Sequence, residues 1–359
     1  MDQLVLATRE TSASAKAGPP PIQLVNEYLT RLKGRTQLLE RAGDQSVPLR
    51  QRMKLHRMMA DELDELFVVG AGHLKYAMDD VGEAEADGPS FTTLLGEIDA
   101  RAGLAASYLH ESWRDRLQPE LAERCGVAVV RRDQLTNEQR VHLKQRFLQD
   151  AWPLLTPWVV DQAHPFPRLR NRGLNLALSL ERRDERLGHR AAFAVLAIPP
   201  GLRRFVEVST ASAKGSIFIL LEDFIAMHVH LLFPALHIKE CSLFRVTWAG
   251  LQSIAVEGRA KASSLKRRAP ALRRRERGRP VRLELTGQAS SENEALLLRS
   301  LGLGPGDVYR VDGPFDIAGL CGICGQRPTC VRCDAAAVTA EAWVLTDTLA
   351  CTGAEQAGR

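Results

Sequence analysis

No run of the 359 residues approaches the roughly 18 consecutive apolar residues of a membrane-spanning helix, so no transmembrane segment is expected. The amino terminus, MDQLVLATRETSASAKAGPPPIQ, has no basic stretch followed by an apolar core. It does not read as a secretory leader, and a cytoplasmic location is expected. No GxxxxGK[ST], GxGxxG or HExxH run occurs, which removes the common sequence signals for a P-loop, a dinucleotide fold and a zincin. Cysteine is nearly missing from most of the chain: Cys125 and Cys241 stand alone, as small buried hydrophobes would. Cys321, Cys324, Cys330, Cys333 and Cys351 crowd towards the carboxyl end.

What is present suits a globular protein of two or three domains, with 45% apolar and 25% charged residues. The net charge of +5 is mild, but its distribution is uneven. Between Arg259 and Arg282 lie Lys261, Lys266, Arg267, Arg268, Arg273, Arg274, Arg275, Arg277 and Arg279, against Glu276 alone. Such a block is either a solvated helix and loop or a polyanion surface, with Arg267, Arg268, Arg273, Arg274 and Arg275 at its centre.

Residues 1–22 are rich in Ala, Ser, Thr and Pro without periodicity and read as a disordered tail. From 23 to 116 the apolar spacing is helical. Leu29, Leu32 and Leu39 precede a turn at Gly43 to Ser46, and Leu55, Met59, Leu63, Leu66 and Phe67 then form a helix that Gly70 and Gly72 end or loosen. Leu94, Ile98, Leu104, Leu109 and Leu117 make a third helix running to Pro119, which completes a small bundle.

Residues 117–317 look mixed. Strands are expected at Val127 to Val130, Leu174 to Leu180, Phe193 to Ile198, Phe205 to Val208, Ser216 to Leu220, Phe244 to Thr247 and Val281 to Leu285. Helices are expected after Thr136, from Glu222 to Leu232, and from Glu292 to Leu301 with Gly302 closing it. The sum is an α+β fold, with a helical bundle first and a mixed domain second. Residues 318–359 read as a further disordered tail.

The most distinctive stretch is Leu154 to Leu180, LLTPWVVDQAHPFPRLRNRGLNLALSL. Pro153, Pro157, Pro165 and Pro167 fix φ and remove donors, so a non-helical, stiff segment is expected to feed the strand that follows. It serves either as a rigid loop or as one wall of a site.

This stretch closely resembles the TPLAVDxxHPFPxLSNLSLNLAV segment of the bacterial polyphosphate kinases. Other runs agree with that family. Asn26, Leu29, Leu32, Leu39, Glu40, Ala42, Ser46-Val47-Pro48-Leu49, Leu63-Asp64-Glu65 and Phe67 match its amino-terminal motif without a gap. FILLEDFIAMHVHLLFPALHI, FRVTW, RRRERGRPVRLE and the run Asp307 to Ile317 match its middle, or head, domain. The resemblance covers about Asn26 to Ile317. It implies an enzyme that transfers the terminal phosphate of ATP to inorganic polyphosphate with Mg²⁺, through a phosphohistidine, and that oligomerises partly through the head domain.

The departures bear on activity. The family's Asn, understood to contact the nucleotide base, falls on Glu62; its Trp and Phe fall on Arg31 and Gly34, and an Arg falls on Gly70. A carboxylate accepts hydrogen bonds only, so the resemblance puts nucleotide binding at Glu62 in doubt. The family's IKxTLYRT and HAK runs are absent, and no catalytic residue is expected in this chain. His164 belongs to the proline-rich motif, and His228 and His230 do not share a helix face. A truncated, catalytically incompetent form is therefore expected. The alternative is a non-catalytic subunit that binds polyanions through 259–282 or co-assembles with a full-length kinase. The pattern Cys321-x2-Cys324-x5-Cys330-x2-Cys333 allows tetrahedral zinc, although its central spacing is short. A slipped or decayed reading frame is the other account of that tail.

Overall fold

The structure, a computed structural model, describes residues 21–42, 47–81, 89–182, 190–208, 215–249, 278–321 and 323. Helix α1 (Pro21–Ala42) starts on a proline, whose missing N–H costs nothing in a first turn. Its Leu24, Val25, Tyr28, Leu29, Leu32 and Leu39 are buried at helical spacing. They share a core with Leu49, Met53, Met59 and Leu63 of α2 (Leu49–Glu65). Gly70 and Gly72 do not end this helix. It passes through a π-helical turn, Leu66–Ala71, into α3 (Gly72–Val81). The widened turn buries all six of its residues instead of one stripe.

Helix α4 (Phe91–Ser112) is capped by Ser90, whose hydroxyl accepts from Thr93 N at 3.1 Å. The expected stop at Pro119 is not observed. A second π-helical turn, Trp113–Leu117, carries the chain into α5 (Gln118–Cys125), and Gly126, with φ of 62°, closes it. The shifted hydrogen-bond register accommodates a ring nitrogen that has nothing to donate.

Strand β1 (Val127–Val130) leads to α6 (Asn137–Arg146). A reciprocal box caps α6: Gln139 N donates to Thr136 Oγ1, and Thr136 N donates to Gln139 Oε1 at 2.9 Å. The proline-rich stretch is less irregular than its composition predicts. Pro153 sits in a single 3-10 turn, Trp152–Leu154, and Pro157 opens β2 (Pro157–Val160). That strand lies at a sheet edge, where a proline interrupts no ladder.

The remaining strands are β3 (Leu174–Arg182), β4 (Arg190–Ala197), β5 (Phe205–Val208), β6 (Ser216–Leu220), β7 (His237–Ala249), β8 (Arg279–Thr286) and β9 (Val308–Val311). Helices α7 (Leu221–His228), α8 (Ser291–Leu301) and α9 (Ile317–Leu320) complete the described chain. A three-stranded sheet has the order β1-β6-β5, and a six-stranded sheet has the order β2-β4-β3-β7-β8-β9. The larger sheet is antiparallel except for β8 and β9, which run parallel.

Strand alternation gives the larger sheet two distinct faces. Ala177, Phe193, Val195, Phe244, Val246, Leu283 and Leu285 face α8, packing on its Leu297 and Leu301. On the opposite face Leu176, Leu178, Leu180, Ala194 and Leu196 pack with α6, α7 and the smaller sheet. Further along that second face, on β7 and β8, the row turns polar: Arg245, Thr247, Arg282 and Glu284. The end of α2 and its π-helical turn cover this polar end, where Arg282 lies over the Phe67 ring.

Candidate functional site

Asp64, near the carboxyl end of α2, points its carboxylate at the polar end of the sheet. Arg245 reaches it with both terminal nitrogens, Nη2 to Oδ1 at 2.7 Å and Nη1 to Oδ2 at 3.1 Å. Arg282 Nη2 also donates to Oδ1, and Arg172 Nη1 lies 3.7 Å from Oδ2. Glu284, opposite Arg245 in the ladder, accepts from Arg245 Nε and lies 3.1 Å from the same Arg282 Nη2. Arg282 Nε donates to Thr247 Oγ1 at 3.2 Å. Two carboxylates and two guanidiniums thus balance in a largely buried interface. Burial pushes the Asp64 carboxyl up, but Arg245 and Arg282 outweigh it and hold Asp64 below the usual carboxylate range. Burial would lower Arg245, but the Asp64 and Glu284 carboxylates raise it.

Further ties join the helical bundle to the sheet. Lys75 pairs with Asp307, and Tyr309 donates to Asp99, which together with burial raises the phenol. Tyr76 donates to Ala249 O at 3.1 Å, and Arg279 pairs with Asp79. Gly72 is required where α3 meets the end of β7: a Cβ there would lie 2.5 Å from Ala249 Cβ.

A cleft of about 400 Å³, counting the part open to solvent, lies beside Asp64. Leu63, His110, Arg245, Phe315 and Asp316 are among its walls. The turn before α9 closes one side. Asp316 has φ of 49° and accepts from Gly319 N, while Arg204 donates to Asp316 Oδ2 at 3.0 Å and to Phe315 O at 2.7 Å. Arg204 also binds Glu222 at 2.7 Å, yet burial leaves that carboxyl raised. His110 sits between Ala106 O and Pro314 O, at 2.7 and 3.1 Å.

Glu62 lies one helical face away. Its side chain is 9% exposed, and its Oε1 is 3.0 Å from Nε of Arg31 on α1, a side chain 48% exposed. The Arg31 guanidinium carbon lies 4.0 Å over the Tyr28 ring. Burial raises the Glu62 carboxyl, with Arg31 opposing. Arg31 and Glu62, two positions where the sequence departs from the motif it resembles, are therefore partners.

Models of known families match most of the chain. Residues 24–129 match the polyphosphate kinase N-terminal domain, and residues 138–323 match the polyphosphate kinase middle domain. The chain belongs to the polyphosphate kinase family. It is 34% identical to polyphosphate kinase of Mycolicibacterium gilvum over 315 residues, which is 86% of this chain and 42% of that protein. It is 32% identical to the enzyme of Mycobacterium tuberculosis over 332 residues, covering 89% of this chain and 44% of the relative. The chain thus spans less than half the length of these curated relatives. Among solved structures, polyphosphate kinase of Porphyromonas gingivalis matches with a TM-score of 0.66 at 18% identity, over 86% of this chain and 42% of that one. That likeness supports the α+β fold alone.

The other expected site residues of this polyphosphate kinase family member fall differently. Arg267, Arg268, Arg273, Arg274 and Arg275 lie outside the described residues, as do Cys324, Cys330 and Cys333. Cys321 is buried in the core of the helical bundle beside Leu320 and Ile323. At the end of the basic segment, Arg282 turns inward to Asp64 and adds nothing to an outer polyanion surface, while the partly exposed Arg279 pairs with Asp79 at the surface. Magnesium needs carboxylate oxygens not already committed to cations. Asp64 and Glu284 are engaged by arginines, Asp316 by Arg204, and among the described residues no three His, Cys, Asp or Glu converge. These carboxylates do not form a magnesium site. In sequence, Asp64 stands out only as a motif match, Arg282 as the end of the basic segment, and Arg245 and Glu284 not at all; alternation with apolar neighbours in FRVT and VRLEL is the signal they carry.

Proposed function

We propose that these 359 residues form the amino-terminal and middle portion of a polyphosphate kinase and, alone, do not transfer phosphate. The observation that carries this is the engagement of four described histidines, His56, His110, His164 and His228. A phosphoryl acceptor needs a free imidazole nitrogen with cations around the incoming phosphate. His56 is held between Arg52 O and Ser112 Oγ at 2.6 and 2.7 Å, and burial lowers its affinity for a proton. His110 spans two carbonyls, and His228 donates or accepts at Phe224 O while stacked on Phe147. His164 is exposed but bound to the Asp161 carboxylate, which repels phosphate. In this reading ATP and Mg²⁺ serve the family's complete enzyme, Glu62 stands at its nucleotide-facing position, and the protein works in the cytoplasm.

A second role is favoured by the basic segment, whose five central arginines have almost no acidic neighbours in sequence. It grips inorganic polyphosphate and supports assembly with a second copy or with a full-length kinase. Retention of labelled polyphosphate should weaken steeply as salt rises, because bound cations are released from the polyanion and return on dissociation. Replacing Arg273, Arg274 and Arg275 by Ala together should flatten that salt dependence. Salt-independent retention, or an unchanged triple variant, would refute the role.

A further inference from the structure

The contact between α1 and α2 holds a planar cation in an arrangement that suits a planar ligand. Tyr28 is 1% exposed, and one face of its ring is covered by the Arg31 guanidinium at 4.0 Å. The Glu62 Oε1 atom is buried and makes no well-aligned hydrogen bond, although Arg31 Nε approaches to 3.0 Å. A buried carboxylate oxygen in that state favours any donor that aligns better. Arg31 is half exposed and can swing into water, so nothing fixed blocks the exchange.

We infer that Tyr28, Arg31 and Glu62 form a binding site for a guanine base, with the Arg31 guanidinium as its resident stand-in. The inference rests on the reading that this part of the chain faces a nucleotide. Guanine contains a guanidine unit: N1–H and the exocyclic N2–H₂ flank one carbon and present two neighbouring donors. A carboxylate accepts both, as it accepts the fork of an arginine. The base then stacks on Tyr28 where the guanidinium lay. Adenine offers a donor at N6 beside a lone pair at N1, and that lone pair would face a carboxylate oxygen. An amide in place of Glu62 would suit adenine, whereas the carboxylate selects against it. Arg35, one turn beyond Arg31 and close enough to act on the Glu62 charge, supplies a cation for the phosphates.

The test is calorimetric titration of the intact 359-residue protein with GTP and with ATP. GTP should bind about tenfold or more tightly than ATP, the range of one good bidentate pair. Glu62→Gln should erase that preference, and Arg31→Ala should tighten GTP by removing its competitor. Equal affinities, no saturable binding of GTP, or a preference that survives Glu62→Gln would overturn the inference. Should Glu62→Gln fail to fold, Arg31→Ala alone decides, since unchanged or weakened GTP binding contradicts a stand-in role. Loss of this inference with polyphosphate retention intact would leave the family reading standing.

Discussion

At Asp64 one carboxylate serves two buried guanidiniums, and Glu284 pairs with both of them from the other side. Removing a single member leaves an uncompensated buried charge, which costs far more than the pair contributes relative to apolar residues. Asp64→Asn should therefore lower unfolding free energy by about 3–5 kcal/mol in urea titrations. A loss within experimental error would show that water reaches the cluster. The pH dependence follows in sign. The folded-state pKa of Asp64 lies below an unfolded value near 3.9, so its contribution is whole above about pH 4 and fades as pH falls through the folded value. His56 and His228, both lowered by burial, have no effect above about pH 6.5 and destabilise the fold as pH falls below it, because the unfolded chain takes up their protons first. Urea midpoints at pH 7, 5 and 3 should drop in both windows for the native protein, and Asp64→Asn should lose the lower drop.

Among the elements, two π-helical turns shape the bundle, Leu66–Ala71 and Trp113–Leu117, and the first of them lies against the sheet. Gly72 begins α3 directly after one of them, with ordinary helical φ of −59°. Alanine there would normally favour a helix, but its Cβ would lie 2.5 Å from Ala249 Cβ. The clash outweighs the propensity, and Gly72→Ala should destabilise by about 1–3 kcal/mol. Gly34, in α1, has nothing within 4 Å of the same atom. Gly34→Ala should raise stability by about 0.5–1 kcal/mol, and thermal melts of the two variants should shift in opposite directions.

The same elements show how far residue pattern reaches. Alternation in FRVT and VRLEL identified β7 and β8, because period two is a local property. Taken alone it would turn Arg245 and Glu284 towards water; their burial depends on Asp64, 181 residues from Arg245 in sequence. Strand β9 is too short to show a pattern of its own; its four residues become a strand by pairing with β8. Pro119 read as a helix stop because the π-helical turn before it leaves no compositional mark. For the site, the resemblance picked out Glu62 and Arg31 separately, but only the packing of α1 on α2 brings them together.

Over the whole molecule, the bundle and the middle domain meet through buried charge, paired carbonyls and a shared core that includes Ala249, Val281 and Ile317. The two portions recognised as polyphosphate kinase domains therefore act as one platform, with the turn before α9 anchored by Arg204 and His110. The central claim concerns what this platform does unaided. The pure 359-residue protein, incubated with γ-phosphate-labelled ATP, Mg²⁺ and polyphosphate, should acquire no acid-labile phosphate and should not lengthen the polymer. Label fixed covalently on an imidazole of this chain, or growth of polyphosphate at its expense, would contradict the account.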